Sequence, residues 1–265
     1  MLKRAITGAV FVAIVIGSFT LHRWSAFSLT TLICVLAFNE FSRIVKSKDL
    51  QFNHFTWLLF IPLILGNAPI NFDFDFITLF YVIVPIILIT ELYRNKTNPI
   101  QNIAVSLFGF IYAAMPMFIF LSSYSKENDN YYFPIAMGYF ILIWANDTFA
   151  YLSGRFFGRT KLFERISPKK TWEGSIGGGI LTIGAAYFIS SFWTELLFFD
   201  WAIIACIAIV FGGLGDLVES MFKRSLDIKD SGNILPGHGG ILDRFDAAIL
   251  GAPVLYFFVS NFINA

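Results

Sequence analysis

Ionisable residues in this chain gather where its apolar stretches end, and the densest gathering lies within residues 216–246. Asp216, Glu219, Ser220 and Lys223 follow i, i+3, i+4 and i+7 spacing, which puts them on one face of a helix. Asp243 and Asp246 stand one helical turn apart with Arg244 between them. Carboxylate oxygens are natural ligands of Mg²⁺, so acids converging from two helix ends can clamp a cation. Structural readings compete with this one. Asp216 or Glu219 could form a helix-end salt bridge with Lys223 or Arg224, and one of the later acids could cap a helix. Capping needs a single acid and leaves Arg244 unexplained.

Between these acids run Lys229-Asp230-Ser231-Gly232 and Pro236-Gly237-His238-Gly239-Gly240. Glycines allow a ligand close to the backbone, and consecutive N–H groups form a nest for anions such as phosphate. His238 is either a hydrogen-bonded structural histidine or a donor to phosphate oxygens. A plain connecting loop is the alternative. Upstream stand Asn146-Asp147, Tyr151, Gly154-Arg155, Gly158-Arg159 and Lys161, followed by Ser167-Pro168-Lys169-Lys170-Thr171-Trp172-Glu173-Gly174. Here Lys and Arg could neutralise phosphate charge or simply attract anionic lipid. The second reading leaves Asp147, Glu173 and the Ser-Pro-Lys-Lys-Thr order unaccounted for.

The elements that must position these groups are membrane helices. Of 265 residues, 57% are hydrophobic and 14% charged, with mean hydropathy +0.69. Soluble domains carry roughly 25% charged residues, so the composition is that of an integral membrane protein. About nine stretches are long enough to count as candidate spans. They lie near 5–21, 25–42, 55–71, 74–92, 102–122, 131–153, 176–193, 198–219 and 246–263, the third being short and holding Pro62. Met1-Leu2-Lys3-Arg4 and the run after it read as a first membrane helix rather than a cleaved leader. With the N-terminus cytoplasmic, 17 of the 19 Lys and Arg fall inside, leaving Arg23 and Lys126 outside. Loops 154–175 and 220–245 then share the cytoplasmic face. Trp24, Trp57, Trp144, Trp172, Trp193 and Trp201 lie near span ends, as interfacial anchors do. Cys34 and Cys206 read as small buried hydrophobes. Asn39-Glu40 and Glu91, inside spans and without motifs, read as helix-packing hydrogen bonders.

Ser220, Lys223-Arg224, Lys229-Asp230, His238-Gly239-Gly240 and Asp243-Arg244-Phe245-Asp246 stand in an order and spacing that closely resembles the signature of the phosphatidate cytidylyltransferases, or CDP-diacylglycerol synthases. The Asn146-Asp147, Gly-Arg and Ser-Pro-Lys-Lys-Thr elements are also similar to that family, so the resemblance covers roughly residues 144–246. It implies an all-α, polytopic helical bundle in the cytoplasmic membrane. The implied reaction transfers CMP from CTP to phosphatidic acid, giving CDP-diacylglycerol and pyrophosphate, with the site facing the cytoplasm.

Under that resemblance Asp216 and Asp246 are expected as principal Mg²⁺ ligands, with Asp243, Asp147 and Glu219 as further candidates and room for a second cation. Lys223 and His238 are expected to act on the reacting phosphates. Ser167, Lys169, Lys170, Thr171, Ser220, Arg224, Lys229, Asp230, Gly239, Gly240 and Arg244 are expected to bind substrate phosphates. Membrane lipid is an expected partner and nucleic acid is not. Residues 1–130 are expected to form a transmembrane scaffold with a homodimer contact, and 131–265 the catalytic region. A transporter and a CTP-dependent lipid-alcohol kinase are the rival readings. The charges gather in two loops on one side without a visible repeat, unlike most transporters.

Overall fold

The computed structural model describes residues 2–46, 50–70, 73–122, 133–232, 234 and 239–263. Helices dominate: α1 (Leu2–Leu21), α2 (Arg23–Lys46), α3 (Phe60–Asn67), α4 (Phe80–Arg94), α5 (Pro99–Ala113), α6 (Met115–Ser122), α7 (Phe133–Phe157), α8 (Trp172–Phe192), α9 (Phe198–Ile207), α10 (Gly213–Ser225) and α11 (Leu242–Phe258). Among the described residues, seven helical segments are long and apolar enough to cross a membrane. The expected spans at 5–21 and 55–71 correspond to the shorter apolar helices Thr7–Leu21 and His54–Asn67. This is a polytopic helical membrane protein.

One feature departs from an all-helical reading. Within 154–175, β1 (Lys161–Phe163) pairs antiparallel with β2 (Ser167–Thr171), Lys161 opposite Thr171 and Phe163 opposite Ser167. Pro168 offers no N–H and disfavours helix for Ser167, so this stretch pairs its backbone across a short ladder instead.

The chain divides into two compact units. The first comprises Met1–Ser122 and Asp230–Leu242; the second comprises Ser123–Lys229 and Asp243–Ala265. In the first unit Phe38 is fully buried, and Phe52, Trp57 and Phe110 meet its ring edge to face. That geometry suits the aromatic quadrupole. A polar knot lies beside this core. Glu91 accepts from Asn53 Nδ2 at 2.9 Å, Asn102 Nδ2 at 2.8 Å and Arg94 at 2.5 Å. Arg94 also donates to the carbonyl of Phe52, and Ser106 accepts from the Asn53 backbone. Glu91 therefore ties α4 and α5 to the segment before α3, as its place inside a span implied. Glu91→Ala takes one acceptor from each of two buried amides and costs about 1–3 kcal/mol. Thermal unfolding in detergent reads this as a lowered midpoint, with a smaller drop for Glu91→Gln.

In the second unit α7 and α8 pack closely because small residues face each other. Ala150, Ser153 and Gly154 lie against Gly174, Gly177 and Gly178, leaving no room for larger side chains. Trp201, expected at the membrane interface, is instead fully buried. It fills the space above Gly138, stacks on Trp193 and donates its indole N–H to the Trp193 carbonyl at 3.3 Å. Its apolar bulk and satisfied polar tip suit a core position. Cys34 is buried and Cys206 is exposed. A π turn, Ala208–Gly212, joins α9 to α10 in one continuous span. Such a turn inserts a residue into the helix and rotates the face of everything after it.

Candidate functional site

The site is built within the second unit, where α10 meets the first turns of α11. Asp216 opens α10, so its face is fixed by the π turn before it. One turn later comes Glu219, only 1% exposed. Asp246 stands one turn into α11. Each of Asp216, Glu219 and Asp246 offers an oxygen within 4.8 Å of the other two. The two helices come this close because residue 215 is glycine: a Cβ there would strike the Asp246 main-chain carbonyl and lie 3.0 Å from Ala247 Cα. Gly215 was not among the residues singled out for chemistry. Its signal lies in the Gly212-Gly213-Leu214-Gly215 run just ahead of an aspartate.

Cations sit among these acids. Lys223 is buried with its Nζ between Glu219 Oε2 at 2.7 Å and Asp243 Oδ1 at 2.5 Å. Asp243 thus faces Lys223 and stands apart from the tight carboxylate group. Lys170 reaches over from β2 to form an ion pair with Asp216 and donates to the Gly213 carbonyl at 3.2 Å. Asp147 on α7 is exposed and lies within electrostatic reach of Asp216, Asp246, Lys170 and Arg244. These five carboxylates against Lys170, Lys223 and Arg244 leave a formal excess of two negative charges, the charge of one divalent ion. The other Glu219 oxygen, Oε1, is buried and has no hydrogen-bond partner among the described residues. A buried carboxylate oxygen left in that state is costly, and a cation is one group that offsets it. The three-carboxylate set fits Mg²⁺, which takes oxygen ligands.

The remaining expected residues divide. Ser220 hydrogen-bonds Asp216 at 3.4 Å, on the acidic face as the spacing required. Arg224 is exposed and donates to the Ile228 carbonyl at 3.0 Å, closing the end of α10. Ser167 is half-buried, Lys169 and Lys229 are exposed, and Arg244 is exposed on the first turn of α11. Thr171, expected to touch phosphate, has another task. It is 7% exposed, and its hydroxyl accepts the Gly174 N–H at 3.2 Å, capping α8. A threonine just before a helix is suited to this, and its side chain lies beside Gly154 and Gly158. Glu173 organises the turn ahead of β1. Its carboxylate accepts the N–H groups of Arg159 at 3.0 Å and Thr160 at 3.1 Å. Asn146 is buried, and its Oδ1 has no hydrogen-bond partner among the described residues. Asp230, Gly239 and Gly240 belong to the first unit. His238 lies outside the described residues.

Sequence comparison gives this arrangement a context. Residues 2–262 match the model of the cytidylyltransferase family. The chain is similar to the phosphatidate cytidylyltransferase of Rickettsia bellii, 41% identical over 187 residues, covering 68% of this chain and 79% of that protein. It is similar along nearly its whole length to the phosphatidate cytidylyltransferase of Synechocystis, 30% identical over 286 residues, covering 97% and 96%. The Bacillus subtilis protein of that name is 46% identical over 123 residues, covering 46% of each chain.

Proposed function

The chain belongs to the cytidylyltransferase family, and from that premise we propose how its residues carry out CDP-diacylglycerol synthesis. The substrates are CTP and phosphatidic acid. A phosphate oxygen of phosphatidate attacks the α-phosphorus of CTP; a P–O bond forms, the α–β anhydride bond breaks, and pyrophosphate leaves with the electron pair. The nucleophile is already anionic near neutral pH, so no strong base is required. The barrier comes from bringing two anions together, and catalysis is positioning and charge neutralisation. The observation that carries this reading is the convergence of Asp216, Glu219 and Asp246 beside buried Lys223.

Asp216, Glu219 and Asp246 would hold Mg²⁺, which when bound supplies positive charge to the phosphates of CTP. Lys223, oriented by Glu219 and Asp243, presents a fixed ammonium next to these carboxylates. Lys170 holds Asp216 from β2 and, with Lys169, Arg224, Lys229 and Arg244, supplies further positive charge for triphosphate or phosphatidate oxygens. Asp147 adds an acid at the rim. The proposal for segment 230–242, a backbone cradle for phosphate, rests on its sequence, as does a role for His238. The site faces the cytoplasm in this reading, supported by the one-sided distribution of Lys and Arg.

The test is pyrophosphate release by purified protein in mixed micelles. Release that requires CTP, phosphatidate and Mg²⁺ together supports the reading. Release of CDP with a lipid alcohol as acceptor, and no pyrophosphate, would replace it with a kinase.

A further inference from the structure

Glu40 lies within the apolar run of α2, far in sequence from the signature, and is 4% exposed. A carboxylate buried in a membrane helix is costly unless a specific partner holds it. In the first unit one such partner is the far end of the signature segment: Glu40 Oε2 accepts the backbone N–H of Leu242 at 3.0 Å. The same carboxylate reaches two glycines of the segment. A Cβ on Gly232 or on Gly240 would land on Glu40 Oε1. At Gly232 the three atoms nearest to such a Cβ all belong to Glu40, while at Gly240 the Ser231 hydroxyl also crowds the position. Gly232 does not have positive φ, in contrast to Gly239 at 83°. Space for the Glu40 carboxylate, rather than backbone freedom, therefore explains the glycine at 232.

We infer that Glu40 is a positioning residue for the signature segment: its carboxylate seats the backbone of Gly232, Gly240 and Leu242 and so fixes the two ends of the stretch read as a phosphate cradle. This rests on reading segment 230–242 as a phosphate cradle. It gives an N-terminal helix a part in the reaction, and it accounts for a buried acid that helix packing alone would not require. The sequence topology agrees, because it puts the Arg43 end of α2 and the 220–245 loop on one side of the membrane.

Glu40→Ala, Glu40→Gln, Gly232→Ala and the Glu40→Ala/Gly232→Ala double variant, in the full-length protein, test this. Glu40→Ala is expected to raise KM for CTP about tenfold or more with a smaller change in kcat, whereas Glu40→Gln, which keeps an acceptor for Leu242, recovers most of the loss. Gly232→Ala is expected to be damaging alone, and the double variant no worse than Glu40→Ala, because removing the carboxylate makes room for the methyl. Hydrogen exchange at the Leu242 amide is expected to quicken in Glu40→Ala, a readout independent of turnover. Unchanged KM for CTP in a folded Glu40→Ala protein, or Gly232→Ala and Glu40→Ala losses that simply add, would overturn the inference. If Glu40→Ala fails to fold, Gly232→Ala and Glu40→Gln decide. Wild-type protein inactive on CTP and phosphatidate, with the Leu242 amide still protected by Glu40, would reject the catalytic reading and leave the anchoring intact.

Discussion

Asp246→Asn is expected to lower turnover by roughly a hundred- to a thousandfold, the scale on which removing one electrostatic group from an active site acts. The substitution isolates charge. Asp246 Oδ1 accepts the Ala247 N–H at 2.8 Å, and asparagine keeps an oxygen for that bond, so the first turn of α11 is retained. What is lost is one of the three acids whose oxygens lie within 4.8 Å of one another. The formal excess of negative charge falls from two to one, and the preference for a divalent ion falls with it. A raised Mg²⁺ requirement for the residual activity is the accompanying signature. Purified variant with wild-type thermal stability and near-wild-type turnover would remove Asp246 from the metal set.

Gly215→Ala is expected to cost about a hundredfold although it touches no charged group, because a displacement near 1 Å at reacting centres has that effect. The added methyl would overlap the Asp246 carbonyl, which is backbone and cannot swing aside. Helix α10 must then move off α11, and Asp216 and Glu219 move with it. Gly213→Ala supplies the control, since a Cβ at 213 meets nothing within 4 Å. It is expected to stay within about twofold of wild type, allowing for the small helix preference of alanine. Comparable turnover in the two variants would show that the α10–α11 contact does not set the carboxylate geometry.

Most of the acidic site could be read in the chain itself. Asp216, Glu219, Ser220 and Lys223 share a face because a helix repeats every 3.6 residues, and an acid inside an apolar span calls for a partner. Spacing cannot say which carboxylate faces which cation across two helices. Asp243 and Asp246, one turn apart, are both acids at a helix start, yet one meets Lys223 and the other Asp216 and Glu219. Thr171 is ambiguous for a related reason. A threonine before a helix caps it whether or not phosphate is near, and the Ser-Pro-Lys-Lys-Thr order does not separate the two tasks. Trp201 carries the composition of an interfacial anchor, and only the empty space over Gly138 draws it inward. Glu40 was the least legible, because it accepts from a backbone N–H 202 residues away, and a backbone N–H leaves no mark in a sequence.

The most direct test of the account follows the label of CTP into lipid. Purified protein in mixed micelles with phosphatidic acid and Mg²⁺ would receive CTP labelled at the α-phosphate in one reaction and at the γ-phosphate in another. Attack at the α-phosphorus predicts that the α-label enters the lipid phase, dependent on both phosphatidate and Mg²⁺, while the γ-label leaves as pyrophosphate. Appearance of the γ-label in lipid, or no transfer of either label by demonstrably folded protein, would contradict it.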